Sequence, residues 1–248
     1  MVDIMSGAEP QSWPGGPNGV LVLHGFTGTP DSMRQLAGRF AAAGYSVELP
    51  LLPGHGTSVD DMLTTSWDDY SVAVEAAYAD LAARCGQVIV AGLSMGGTLA
   101  IWLAAGHPEI AGLVLVNPAI LPQPELAEIL VPMLEAGETT FDPIGGDIAK
   151  EGEIELGYDR TPLAPLASLG IAIDELQPRL ASIEVPVLLC NSPQDHVVPP
   201  ASSDHVAARV SGPVERVSLD RSYHVATQDL DAPLIEERAL AFAARCFA

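Results

Sequence analysis

The chain has 248 residues, and its 32 Asp and Glu against 11 Lys and Arg give a formal charge of −21. That balance excludes nucleic acid as a ligand, because phosphate backbones are held in basic grooves, and anionic lipid surfaces would repel so acidic a domain. The imbalance comes from scarce bases, with Lys150 the single lysine, and no run of five like charges suggests an acidic tail.

With 48% hydrophobic residues the chain can fill one large α/β core carrying an insertion. Met1 to Pro10 includes Asp3 and Glu9 and lacks the basic and apolar regions of a secretory leader. Cys85, Cys190 and Cys246 are odd in number and far apart, which fits reduced thiols rather than a disulfide framework or a zinc knuckle. A cytoplasmic protein is expected.

In chain order, β-branched apolar runs at Val20–Leu23, Val47–Leu49, Val88–Ala91, Leu113–Val116, Val187–Cys190 and Val214–Leu219 read as strands. Helical patterns at Ser32–Ala43, Trp67–Arg84, Gly97–Gly106 and Leu234–Phe247 separate or follow them, the second with Ser66 as a cap. Near-continuous apolar strands alternating with helices predict a doubly wound, mostly parallel sheet covered on both faces. Val88–Gly106 has the length of a membrane span without a charge, but Gly92, Gly96 and Gly97 interrupt it. A buried strand, a tight turn and a buried helix account for it, so no transmembrane segment is expected. From Leu121 to Arg179 the rhythm fails, and prolines punctuate short apolar pieces. An excursion this long is a structured insertion rather than a loop. Residues 1–120 and 180–248 are read as the core, and residues 121–179 as a small helical cap.

Gly92-Leu93-Ser94-Met95-Gly96 matches G-x-S-x-G, the turn that exposes a serine hydroxyl between a strand and a helix. A serine needs a base to take its proton and a carboxylate to orient that base. On such a fold the order is serine, acid, histidine. His224 follows the last strand and precedes the C-terminal helix, as the base should. Asp195 follows the strand before it, while Asp204 and Asp220 stay open as rivals. The oxyanion requires backbone donors. Met95 supplies one as the residue after the nucleophile, and Phe26, in the loop after Val20–Leu23, supplies the other. His24 is read as a hydrogen-bonded core imidazole.

Leu23-His24-Gly25-Phe26-Thr27-Gly28-Thr29-Pro30, Pro53-Gly54-His55-Gly56-Thr57, Gly92–Thr98, Asp195–Pro200 and Ser222–Thr227 together resemble the bacterial monoacylglycerol lipases and related small carboxylesterases, over nearly the whole chain. The resemblance implies an α/β-hydrolase with a triad of Ser94, Asp195 and His224 and an oxyanion hole on Phe26 and Met95. It also implies that Glu155, in the cap segment Ile154–Pro162, faces the glycerol head and that Ile144 forms an apolar wall. Asn117, at the end of its strand, is placed with these substrate contacts. Leu126, Ile129 and Leu130 are expected to line an acyl tunnel with Ile144.

The reading is therefore a serine hydrolase that cleaves monoacylglycerol to fatty acid and glycerol through an acyl-enzyme, with no metal or organic cofactor. A short-chain carboxylesterase without glycerol selectivity is the alternative, and a non-catalytic ligand-binding protein on the same scaffold is a more distant one. The partner expected is a small-molecule lipid ester, with the cap offering a surface for a homodimer or for transient contact with a lipid interface.

Overall fold

A computed structural model describes residues 3–248; Met1 and Val2, the start of the stretch read for a leader, lie outside the described residues. Among the described residues, nine strands and eight α-helices follow in chain order. They begin with β1 (Gln11–Trp13), β2 (Asn18–Leu23), α1 (Asp31–Ala42), β3 (Ser46–Leu49), α2 (Val59–Met62), α3 (Trp67–Ala82), β4 (Gln87–Leu93), α4 (Met95–Gly106) and β5 (Gly112–Val116). They continue with α5 (Pro124–Glu135), β6 (Thr140–Phe141), β7 (Thr161–Pro162), α6 (Leu163–Leu176), a 3-10 turn (Gln177–Ser182), β8 (Val187–Asn191), α7 (Ala201–Arg209), β9 (Val214–Ser218) and α8 (Ala232–Cys246). Seven strands form one sheet in the order β1-β3-β2-β4-β5-β8-β9. All neighbours are parallel except β1, which runs antiparallel to β3.

The strands read as unbroken apolar runs because both of their faces are covered. Successive residues point to opposite sides, so Leu21 and Leu23 of β2, Val88 and Val90 of β4, and Leu113 and Leu115 of β5 join one apolar cluster with residues of α3, α4 and α6. Val20 and Val22, Ile89 and Ala91, and Val114 and Val116 join the other, with residues of α1 and α8. The uncharged stretch 88–106 divides into β4 and α4, and among the described residues no helix is long and apolar enough to cross a membrane. Ser66 caps α3 in a reciprocal capping box with Asp69, a device worth about 1 kcal/mol.

The excursion between β5 and β8 has two characters. α6 buries Leu163, Leu166, Leu169, Ile173 and Leu176 in the cluster shared with α3 and α4. Residues 144–158 instead reach the loops at the carboxyl ends of the strands, while α5 packs against α6 and is largely exposed. Outside this excursion, three elements had no clear sequence pattern. β1 is three residues of mixed polarity, α2 is a single turn, and α7 buries little more than Ser202, Ser203 and Val206.

Candidate active site

The strand β4 ends at Leu93 and α4 begins at Met95, so Ser94 must reverse the chain alone. It does so at φ 55°, ψ −118°, a conformation that costs a non-glycine residue about 1–3 kcal/mol. The turn is this tight because its glycines let backbone touch backbone. A Cβ on Gly92 would lie 2.1 Å from the Gly96 carbonyl oxygen, and one on Gly96 would lie 2.2 Å from that of Leu23. The spacing G-x-S-x-G is therefore a steric requirement, and its result is a serine hydroxyl held at the carboxyl end of the central strand.

His224 comes from the loop between β9 and α8, and Asp195 from the loop between β8 and α7. Nδ1 of His224 lies 2.7 Å from Oδ2 of Asp195. The other carboxylate oxygen of Asp195 accepts the N–H groups of Val197 and Val198 at 2.9 and 2.8 Å, which fixes its rotamer. With Nδ1–H donated to Asp195, Nε2 is the basic nitrogen. The rival carboxylates are spent elsewhere: Asp204 pairs with Arg216, and Asp220 accepts from the Ser218 hydroxyl.

Ser94 and His224 line one narrow cleft of about 20 Å³, with Gly25, Phe26, Ile144 and Glu155 among its walls. Gly145 and Glu155 also line a wider adjoining cavity of about 210 Å³, bounded by Thr27, Gly146, Tyr158 and Asp159. Glu155 thus stands between the two. Its carboxylate accepts the Gly146 N–H at 2.8 Å and fits against Gly28, where a Cβ would meet Oε1 at 2.7 Å. Burial raises its pKa above the usual carboxyl range, partly opposed by that N–H and by His224.

The loop carrying Phe26 is held from behind. The His24 ring, fully buried, donates to Gly25 O at 2.9 Å and accepts the Leu52 N–H at 3.1 Å, joining the loop to the segment that follows β3. The His55 ring packs edge-on against it, 5.0 Å between centroids. Burial pushes His24 down to about 3, with its neighbour His55 adding to the effect, and pushes His55 down to about 4. Both are neutral imidazoles near neutral pH. From the cap side, Leu156 O accepts the Thr29 hydroxyl, and the Tyr158 N–H donates to Thr27 O. Met95 is the first residue of α4, so its N–H has no acceptor within the helix.

Two sequence expectations need correction. Asn117 lines neither cavity: it is buried at φ 44°, donates to His224 O at 2.8 Å and Ser192 Oγ at 3.1 Å, and accepts the Ser192 N–H at 2.8 Å. A strand-end amide with four hydrogen-bonding sites serves here to tie two loops together. Ile129 is 55% exposed, whereas Leu126 and Leu130, one turn apart on α5, face inward. Missed altogether were Asp147 and Asp229, which bind the cap to the His224 loop; isolated aspartates give no sequence signal of such a role.

The model of the alpha/beta hydrolase family matches residues 20–244. The chain belongs to that family. This hydrolase is 44% identical over 245 residues to a thermostable monoacylglycerol lipase of Bacillus sp. strain H-257, covering 98% of this chain and 96% of the relative. It is 25% identical to a carboxylesterase of Bacillus subtilis strain 168, covering 94% and 95% of the two chains. Among solved structures, one from work on two metagenome-derived lipolytic enzymes superposes on it with a TM-score of 0.94 at 39% identity, covering 98% of this chain and all of the other.

Proposed function

We propose that this hydrolase cleaves monoacylglycerols to fatty acid and glycerol through an acyl-enzyme on Ser94. The chemistry is carboxylic ester hydrolysis. His224 Nε2 takes the Ser94 proton as the oxygen attacks the ester carbonyl, and the Asp195 carboxylate steadies the imidazolium that forms. The N–H groups of Phe26 and Met95 receive the negative charge that develops on the carbonyl oxygen. His224 then protonates the leaving glycerol oxygen, and a water activated by the same nitrogen releases the fatty acid.

The observation that carries the glycerol part is the placement of Glu155, a carboxylate at the junction of the serine cleft and a polar cavity lined by glycines, Thr27 and Asp159. It can accept hydroxyl hydrogens while Ile144 covers the acyl side. The similarity to a bacterial monoacylglycerol lipase over nearly the full length of both chains supports the same reading. The cleft as it stands has room for about one water, so its walls, Ile144 among them, must part to admit an acyl chain. On the outer face of α5, the exposed Ile129 and Val131 would meet a lipid interface or a second copy. The free thiols of Cys85, Cys190 and Cys246 agree with a cytoplasmic setting.

The test is substrate profiling. Turnover of monoacylglycerol should exceed that of di- and triacylglycerol of the same chain, and Glu155→Ala should lower kcat/KM for monoacylglycerol about tenfold while changing a nitrophenyl ester little, as expected when one hydrogen bond to a charged group is lost. Equal efficiency on all esters would leave a general carboxylesterase.

A further inference from the structure

Residues 147–150 of the cap touch the loop that carries His224 through a reciprocal pair of carboxylates. Asp147 Oδ2 accepts the backbone N–H of His224 and of His196, each at 3.1 Å. Its Oδ1 lies 2.8 Å from Nδ1 of the largely exposed His196 ring, and its carbonyl accepts the Val225 N–H at 3.0 Å. One side chain from the cap therefore holds the backbone of the base and of the residue beside the acid. In return Asp229, 3% exposed, accepts the N–H groups of Ala149 and Lys150 at 2.8 and 2.9 Å, and those of Tyr223 and Leu230 at 2.8 and 2.7 Å.

This arrangement matters because His224 and Asp195 sit on separate loops, after different strands. The hydrogen bond between their side chains fixes the ring only if both backbones are fixed. Asn117 secures the His224 carbonyl from the sheet side. The N–H on the opposite side of the same residue is secured only from the cap, by Asp147, among the described residues. His224 is nearly sealed from water, so no solvent can take over that N–H without a rearrangement.

We infer that Asp147 is a positioning residue, which couples docking of cap residues 147–150 to the alignment of His224 with Asp195. The inference rests on His224 being the base. Misplacement of a reacting group by about 1 Å costs on the order of 10²-fold in rate, so loss of this contact is read in kcat while the binding cavities, which do not include Asp147, leave KM unchanged.

The experiment compares Asp147→Ala, Asp147→Asn and Lys150→Ala in the full-length enzyme, with a short nitrophenyl ester at a temperature well below each melting point. Asp147→Ala should lower kcat at least tenfold with KM within twofold. Asp147→Asn should stay within threefold of wild type, because its amide oxygen still accepts both N–H groups and its NH2 can donate to His196 Nδ1. Lys150→Ala should not change kcat, since only its backbone N–H takes part and its ammonium pairs with Glu153. The far-downfield proton resonance of His224 Nδ1–H should broaden or vanish in Asp147→Ala and persist in Asp147→Asn, a change that loss of global stability alone would not produce. If Asp147→Ala does not fold, Asp147→Glu takes its place under the same thresholds, because the charge is kept and the oxygens move by one methylene. A kcat within twofold of wild type in the folded variant, or an equal loss in Asp147→Asn, overturns the inference. The underlying reading fails separately: full turnover in His224→Ala removes the base itself.

Discussion

Oδ2 of Asp195 meets Nδ1 of His224 at 2.7 Å, with 2% and 7% of the two side chains exposed. With its other oxygen held by two backbone N–H groups, this enclosed carboxylate turns Oδ2 to His224 and fixes the tautomer that leaves Nε2 free. Asp195→Asn should keep the fold, since the amide oxygen can still accept the Val197 and Val198 N–H groups. Its NH2 would then donate to Nδ1, placing the ring proton on Nε2. The expected loss in kcat is about 10⁴-fold, measured by steady-state hydrolysis, with thermal stability close to wild type.

Ser94 separates function from stability. At φ 55° it occupies a conformation that glycine adopts without penalty. Ser94→Gly should remove turnover and labelling by a fluorophosphonate, yet raise the free energy of unfolding by about 1 kcal/mol in urea titration. Ser94→Ala loses activity without that gain, because alanine keeps the strained φ.

His24 and His55 should set an acid limit. Each has a pKa in the folded protein, about 3 and about 4, below the unfolded value of 6.5. Between these values the unfolded chain binds more protons, so stability falls as pH drops from about 6.5 towards 4. For His55 the contribution approaches roughly 3 kcal/mol, from 1.36 kcal/mol per pKa unit. His55→Gln should make the fall shallower when unfolding is measured at pH 7, 5.5 and 4.5. An unchanged slope would remove this histidine from the account.

Glu155 behaves in the opposite sense. Burial raises its folded pKa above the unfolded value, so the folded state binds the extra proton just above the ordinary carboxyl range. Stability then falls as pH rises through that window. Glu155→Gln lacks the charge, and its melting temperature should gain on that of wild type from pH 4 to pH 7, followed by calorimetry.

Gly28 should act on selectivity rather than stability. A methyl there would come within 2.7 Å of Glu155 Oε1, the movable end of a side chain. Gly28→Ala should therefore displace the carboxylate, reducing kcat/KM for monoacylglycerol severalfold while a nitrophenyl ester is cleaved nearly as before. Equal losses on both substrates would point to a disturbed Phe26 loop instead.

Much of this molecule can be read from local chemistry. A parallel strand buried on both faces must be apolar at every position, so β2, β4, β5 and β8 announce themselves, and the strand–serine–helix junction shows in the glycines that allow it. The order of Ser94, Asp195 and His224 follows from the positions of strand ends. Short-range pattern carries nothing about β1 or α7, where neighbours rather than residue type create the element. Nor could it tell that Asn117 turns inward to tie the Ser192 and His224 loops, that Ile129 faces out, or that Asp147 and Asp229 exchange hydrogen bonds between the cap and the base loop. These depend on how the cap packs and on which polar side chains meet which backbone groups across 70 to 110 residues of chain, and only the packed sheet brings them together.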